Sequence, residues 1–345
     1  MGRISLNMKK STAFYATQII ATSLAAAAAY ALIPSENRLR WGQVAIITGG
    51  SRGLGLAIAH RLGKAGLKLV LAARSEDDLE LARDQILRSR DVTDEDDILL
   101  IACDLTDSNQ CGALIDSAIR TFGRVDVLVN NAGIIEVGAV EDQTIEAYER
   151  AMATNFFAAL YLCQAVLPHM LARKSGSIVN ISSIGGKLAV PHMLPYSAAK
   201  FALTGFSQGL HAEVRSKGVR VTTVCPGLMR TGGEVHAQFV GDVEKEKQWF
   251  QTAATTPLLS VTSEYAANRI FSAVNAGRAE ITISPQAWLM ARTAGLMPET
   301  TQFVNSLVNE YVLPAAVKAA PEPAVLHVHH NESDDEISAA DPSPS

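Results

Sequence analysis

Val44-Ala45-Ile46-Ile47-Thr48-Gly49-Gly50-Ser51-Arg52-Gly53-Leu54-Gly55 is the stretch whose reading decides the fold. Its first half is apolar and β-branched, the composition of a strand buried on both faces of a parallel sheet. A glycine-rich turn carrying Gly49, Ser51, Arg52, Gly53 and Gly55 follows, and then Leu54, Ala57, Ile58 and Leu62 recur at helical spacing. Glycines admit a tight turn and close backbone approach, and a helix N-terminus offers free N–H groups with a partial positive charge. Strand, turn and helix together make a phosphate cradle. A glycine turn by itself is often only a turn, and the flanking strand and helix carry the stronger reading.

Outward from this unit, apolar runs alternate with helical segments. Strands are expected at Lys68–Ala73, Ile98–Cys103, Val125–Val129, Ser177–Ile181, Val219–Val224 and Glu280–Ile283. Helices are expected over 76–91, 108–122, 144–170, from Tyr196 onward, and over 263–276. The alternation predicts one α/β domain with a doubly wound, Rossmann-type, mostly parallel sheet and helices on both faces. The 345 residues, 48% of them hydrophobic and 19% charged, suffice for such a core with extra segments at both ends. A net charge of −5 gives no reason to expect nucleic acid as a partner. The four cysteines (Cys103, Cys111, Cys163, Cys225) lack metal-type or disulfide-framework spacing and read as reduced core thiols. The cluster His327, His329, His330 lacks the order and carboxylate companions of a metal site, so no metal is expected.

Chemistry concentrates where strands end. The second strand ends at Arg74, where a carboxylate would hold a ribose 2′-hydroxyl and an arginine accommodates a 2′-phosphate. With Arg52 in the glycine turn as a second guanidinium, NADP is favoured over NAD. After the fifth strand come Ser182 and Ser183. Tyr196 and Lys200 follow, four apart and therefore on one helix face. Hydride reduction of a carbonyl builds negative charge on oxygen and requires a proton there. A tyrosine whose ordinary pKa is near 10 needs help, and a neighbouring ammonium or an oxidised nicotinamide is expected to lower it. Tyr196 is thus the expected acid or base and Lys200 its modulator. Either Ser182 or Ser183 is able to donate to the substrate oxygen.

Thr48-Gly49-x-x-x-Gly53-x-Gly55, Asn130-Asn131-Ala132-Gly133, the serine thirteen residues before Tyr196-x-x-x-Lys200, and Pro226-Gly227 occur in this order. Together they resemble the short-chain dehydrogenase/reductase family of the classical type, over about residues 42 to 285. The resemblance implies an NADP(H)-dependent enzyme interconverting a carbonyl and a secondary alcohol. It implies Asp104, with Leu105, beside the adenine, and Asn131, Ala132 and Gly133 along the cofactor. Asn155, in Met152-Ala153-Thr154-Asn155, is implied to support a water in a proton relay. Ser183 rather than Ser182 is implied as the substrate-binding donor, and Lys200 as the holder of the nicotinamide ribose. Pro226, Gly227 and Thr231 are implied to line the nicotinamide, with Thr231 at its carboxamide. The family's usual assemblies imply a homodimer or homotetramer. An NADP-binding scaffold or redox sensor without turnover is the alternative, and the filled catalytic positions weigh against it.

The ends carry other signals. Ser11 to Ser35 contains no charged residue, enough for one membrane span of about 20 residues, though alanines, threonines and Gln18 keep its hydrophobicity modest. An uncleaved N-terminal anchor over about 11–33, with the catalytic domain on the cytoplasmic side, is the favoured reading. A signal peptide cleaved after Ala29-Tyr30-Ala31 and a packed helix are its alternatives, with cytoplasmic or exported protein as the outcomes. Residues 228–260 read as a substrate-covering loop, and a membrane helix plus apolar loop hint at lipid, steroid or acyl substrates. Phe303, Leu307 and Tyr311 predict an amphipathic helix packing on the domain or a second subunit, with a membrane surface as the alternative. The expected organisation is 1–40 membrane-associated helix and linker, 41–285 catalytic domain, 286–318 helical extension, and 319–345 disordered acidic tail.

Overall fold

The computed structural model describes Gln18, Ala21, Thr22 and residues 39–232, 237–256 and 260–317. The expected anchor, apart from three of its residues, the acidic tail and the histidine cluster lie outside the described residues. Seven parallel strands form the central sheet: β1 (Val44–Thr48), β2 (Lys68–Ala73), β3 (Ile98–Ala102), β4 (Val127–Asn130), β5 (Gly176–Ile181), β6 (Val219–Pro226) and β7 (Glu280–Ile283). Their order is β7-β6-β5-β4-β1-β2-β3, so the order reverses beside β1, between β4 and β2. Ala45 pairs with Leu69 on one side and Val127 on the other. In such sheets ligands bind outside the carboxyl ends of the strands where the order reverses, which here is the end of β1.

The helices are α1 (Gly53–Gly63), α2 (Glu76–Ser89), α3 (Ser108–Phe122), α4 (Ile145–Met152), α5 (Ala158–Ala172), α6 (Leu194–Val214), α7 (Val243–Thr255), α8 (Ser263–Asn275), α9 (Pro285–Leu296) and α10 (Pro298–Tyr311). Local chemistry fixes their starts. Ser75 caps α2 by accepting from the Asp78 amide at 3.1 Å, and Asp107 caps α3 through the Asn109 amide at 2.8 Å. Gly123 ends α3 at φ 77°. Alternation along β1 divides the core: Ala45 and Ile47 join α1 and α8, while Val44 and Ile46 join α3, α5 and α6 on the other face. All four cysteines are free and buried, with burial pushing the Cys163 thiol up to about 12.

Two segments depart from expectation. Residues 228–260 carry a helix, α7, started by Asp242 accepting from the Lys245 amide and buried through Glu246, Phe250 and Ala254. The apolar stripe of α10 faces solvent, with Phe303 63% and Tyr311 74% exposed, while its polar side faces the domain. Asn305 Nδ2, on that polar side, donates to the Ala189 carbonyl at 2.9 Å. Among the described residues, Ile145–Ala172 alone is long and apolar enough to cross a membrane. It is a core helix here: Leu162, Cys163, Val166 and Met170 are buried in the sheet-facing cluster.

Candidate active site

The glycine turn leaves no room for side chains. Gly49 and Gly53 hold φ of 61° and 56°, in the left-handed region. A Cβ at Gly55 would overlap the Gly49 carbonyl oxygen, and Leu54 behind it is buried. Thr48, which the sequence reading used only as part of a motif, fastens this turn to the end of β4. Its hydroxyl accepts from the Asn131 and Ala132 amides at 2.9 and 3.0 Å and donates to the Val129 carbonyl at 3.2 Å. Asn131 Nδ2 donates to the Thr48 carbonyl at 2.9 Å, so this side chain braces the turn.

Around the cradle, Ser51 flanks the turn and Arg52 and Arg74 are exposed, with Arg52 Nη1 3.7 Å from Asp78. Asp104 accepts from the Thr106 amide at 2.9 Å and hydroxyl at 2.8 Å. Those bonds hold its carboxyl below the usual range, so it stays an ionised acceptor. Leu105 is buried beneath it. Thr231 lies against the turn: its carbonyl oxygen would be 3.4 Å from a Cβ at Gly53. Pro226 ends β6, and Gly227 donates to the Ile283 carbonyl at 3.1 Å, with Ala287 and Ser284 filling the space a side chain would need. A backbone with no space for side chains, opening onto a helix N-terminus, fits a dinucleotide.

Asn155 sits in a π-helical turn, Ala153–Phe157, between α4 and α5. Such turns in helices often mark functional sites. Asn155 Nδ2 donates to the Ile134 carbonyl at 3.0 Å and its Oδ1 accepts from the Ile134 amide at 3.2 Å. A Cβ at Gly133 would stand 2.5 Å from that Oδ1 and 3.5 Å from Lys200 Nζ, so glycine lets the three approach.

The two serines separate. Ser182 is buried and bonds into α6, donating to the Lys200 carbonyl at 3.0 Å and meeting Thr204 at 2.7 Å. Ser183 accepts from the Gly185 amide at 3.0 Å, which leaves its own proton for the Tyr196 side. Lys200 is buried, donates to the Ile181 carbonyl at 2.9 Å, and lies 5.6 Å from the Tyr196 ring centroid. Burial brings the Lys200 ammonium down to about 8. Burial also pushes the Tyr196 phenol above its ordinary value, with the Ser183 hydrogen bond pulling the other way. The sequence reading expected a lowered phenol. In the protein alone Lys200 is turned to a carbonyl and desolvation is the largest influence on the phenol.

Tyr196 packs against an apolar cluster of Val137, Met193 and Phe250 with Phe239 and Trp249. An unforeseen buried network closes this cluster: His192 Nδ1 meets Glu246 at 2.7 Å and Trp249 Nε1 donates to the same carboxylate at 2.6 Å. It ties α7 to the loop before α6. Beside it a groove of about 800 Å³ runs between Lys187–Leu194 and α10.

Residues 43–238 match the family model described as short chain dehydrogenase. The chain belongs to the short-chain dehydrogenase family. A dehydrogenase/reductase SDR family protein 7-like of Anopheles gambiae is 41% identical over 196 residues, covering 57% of this chain and 62% of that protein. The chain spans about three fifths of the length of the first curated relatives it matches. Among solved structures, a short-chain dehydrogenase/reductase of Burkholderia phymatum in complex with NAD superposes with a TM-score of 0.69 at 26% identity, covering 75% of this chain and 95% of that one. L-sorbose reductase of Gluconobacter frateurii, complexed with NADPH and L-sorbose, gives 0.62 at 27% identity, covering 72% and 97%. Family members of this fold thus hold either nicotinamide cofactor.

Proposed function

We propose that the chain is an NADP(H)-dependent oxidoreductase interconverting a carbonyl and a secondary alcohol on a substrate with a large apolar surface. The convergence of Ser183, Tyr196 and Lys200 beside the glycine cradle carries this reading. The bound nicotinamide would supply or accept the hydride. Tyr196 gives its phenolic proton to the substrate oxygen in reduction and takes it back in oxidation. Ser183 donates a hydrogen bond to that oxygen as charge gathers on it. The Lys200 ammonium adds positive charge nearby and binds ribose hydroxyls, and Asn155 holds the backbone beside it. The apolar cluster against Tyr196 supports the substrate class and excludes water from the reacting oxygen. We also read the catalytic domain as 41–285, assembled as a homodimer or homotetramer and tethered to a membrane through Ser11–Ser35 on the cytoplasmic side.

Arg52 and Arg74, exposed at the cradle with no carboxylate at the end of β2, support NADP over NAD. A panel of apolar ketones is expected to drive NADPH oxidation well above NADH oxidation. Arg74→Asp is expected to weaken NADPH binding roughly tenfold or more, the loss of one charge-assisted hydrogen bond, and to leave NADH no weaker. An unchanged preference, measured by fluorescence titration of both cofactors, sinks the assignment to Arg74.

Lys200 also predicts a pH dependence. Its ammonium is present below about 8 and lost above, whereas the raised Tyr196 phenol keeps its proton through that range. Reductive turnover is therefore expected to be level below pH 8 and to fall toward tenfold per unit above it. A profile still flat at about pH 9.5 removes the charge of Lys200 from the mechanism.

A further inference from the structure

A parallel sheet gathers the amino ends of its strands on one edge, and here that edge is basic. Arg40 precedes β1, Arg124 precedes β4, Lys174 precedes β5, and Arg215 and Arg220 flank the start of β6. β6, β5, β4 and β1 are consecutive neighbours in the sheet, so four adjacent strands each bring at least one cation. At about 4.8 Å between strands the row is roughly 14 Å long. The cations line one groove of about 640 Å³, and no Asp or Glu lines it among the described residues. Arg124, one of these cations, is paired with the buried Asp126, which Arg173 also approaches. The groove thus opposes in sign a chain whose net charge is −5.

The row is built rigidly. Gly218, at φ 87°, lets the turn before β6 close onto the Lys174 backbone, where a Cβ would collide with the Lys174 carbonyl. Helix carboxyl ends also collect at this edge, and Arg124, Lys174 and Arg215 follow three of them, where a cation is favourable in any case. Arg220, inside β6, has no such account. Trp41 has no such account either: it lies across Gly66 and is 84% exposed, beside the guanidinium row. A tryptophan with its ring in solvent beside cations is the composition of a membrane–water interface. The chain that enters this groove at Leu39 is preceded within a few residues by the uncharged stretch Ser11–Ser35.

We propose that this amino-terminal edge docks on an anionic bilayer, with Trp41 at headgroup depth and Arg40, Lys174 and Arg220 against lipid phosphates and carboxylates. Basic residues next to a membrane segment act in this way on anionic leaflets. The docking holds the carboxyl edge and its site about 20 Å from the lipid, the six residues of β5 at roughly 3.3 Å each, so the cofactor cradle faces the aqueous nucleotide pool. The inference rests on the membrane part of the reading above and not on its chemistry.

The test uses the full chain with preformed vesicles of phosphatidylcholine alone or with 30 mol% phosphatidylserine (about one lipid in three, to match an anionic leaflet), carrying a dansyl-headgroup lipid as acceptor for tryptophan fluorescence. Wild type is expected to bind the anionic vesicles far more tightly than the neutral ones, with the difference shrinking at high salt. Arg40→Glu/Lys174→Glu/Arg220→Glu is expected to lose about a hundredfold of that difference, roughly fivefold or more per cation. The milder Gln variants at the same positions should lose less, and all should keep wild-type NADPH oxidation, which verifies folding. Trp41→Phe should lower the energy transfer on anionic vesicles. Equal binding of wild type to both vesicle types overturns the docking, even where capture on neutral vesicles upholds the Ser11–Ser35 anchor. So does an anionic preference that survives the charge reversals, or one abolished instead by Phe303→Ser/Leu307→Ser on α10. A change of oligomeric mass in the charge-reversed protein, without a change in vesicle binding, would make the edge a contact between copies and would also overturn it.

Discussion

Tyr196→Phe is expected to retain NADPH binding and to lose at least about a hundredfold in turnover, the lower bound for removing a positioned general acid. The substitution deletes one oxygen. The ring keeps its contacts with Val137, Met193 and Phe250, so the apolar chamber stays closed. Lys200 keeps its bond to the Ile181 carbonyl, because that bond does not involve the phenol. Ser183 keeps the Gly185 amide and remains able to donate to a substrate oxygen. What is lost is the proton itself. Burial raises the phenol's pKa, so in the wild type the proton stays on the oxygen until charge forms on the substrate. The neighbours do not replace it: Lys200 Nζ is turned to the Ile181 carbonyl, and Ser182 and Thr204 are bonded to each other within the core. Steady-state rates with a fluorescence titration of NADPH separate the two effects. Turnover near wild type would sink the assignment. Unchanged NADPH affinity together with no turnover in the wild type on any carbonyl would favour the scaffold reading.

The sheet was legible because its strands are short apolar runs whose ends are marked by glycine, asparagine or a charged residue. Glu280–Ile283 and the 108–122 helix stand as the residues imply. The glycine turn was legible for the same reason that it works: Gly49 and Gly53 take φ near 60°, and Gly55 leaves the Gly49 carbonyl the room that a Cβ would fill. Contacts between segments distant in sequence were not legible. His192 and Glu246 are 54 residues apart, and neither flank announces the pair. The π turn at Asn155 leaves no compositional trace, and neither does the pairing of Asn155 with Ile134, 21 residues away. The facing of α10 was not legible for a related reason: periodicity defines an apolar stripe but not what lies opposite, and here Asn305 on the polar side bonds to the Ala189 carbonyl. The phenol of Tyr196 was expected to be lowered by a neighbouring ammonium together with an oxidised nicotinamide. Spacing gives proximity to Lys200, whereas the pKa follows from desolvation, which only the packed chain defines.

Gly55→Ala is expected to abolish detectable cofactor binding, although by helix propensity alone it should stabilise the protein. Gly55 lies in the first turn of α1, and alanine in a helix interior is favoured over glycine by up to about 1 kcal/mol. Space decides the sign. The new Cβ would overlap the Gly49 carbonyl and stand 2.6 Å from Asn131 Nδ2, and neither is the loose end of a flexible side chain. The Gly49 carbonyl belongs to a turn whose amide bonds to the Ala72 carbonyl at 2.8 Å, and Asn131 is fixed to Thr48 at 2.9 Å. Relief therefore requires α1 to move off the end of β1, which opens the cradle and unseats Leu54 from the core. Gly112→Ala is the control. Gly112 is also helical, in α3, and a Cβ there meets nothing within 4 Å. It should gain roughly 0.5–1 kcal/mol of stability and bind NADPH as the wild type does. Paired thermal melts and NADPH titrations of the two variants decide the matter. A Gly55→Ala protein that binds NADPH normally would show that the turn has slack and that the cradle does not depend on the approach of α1 to Gly49.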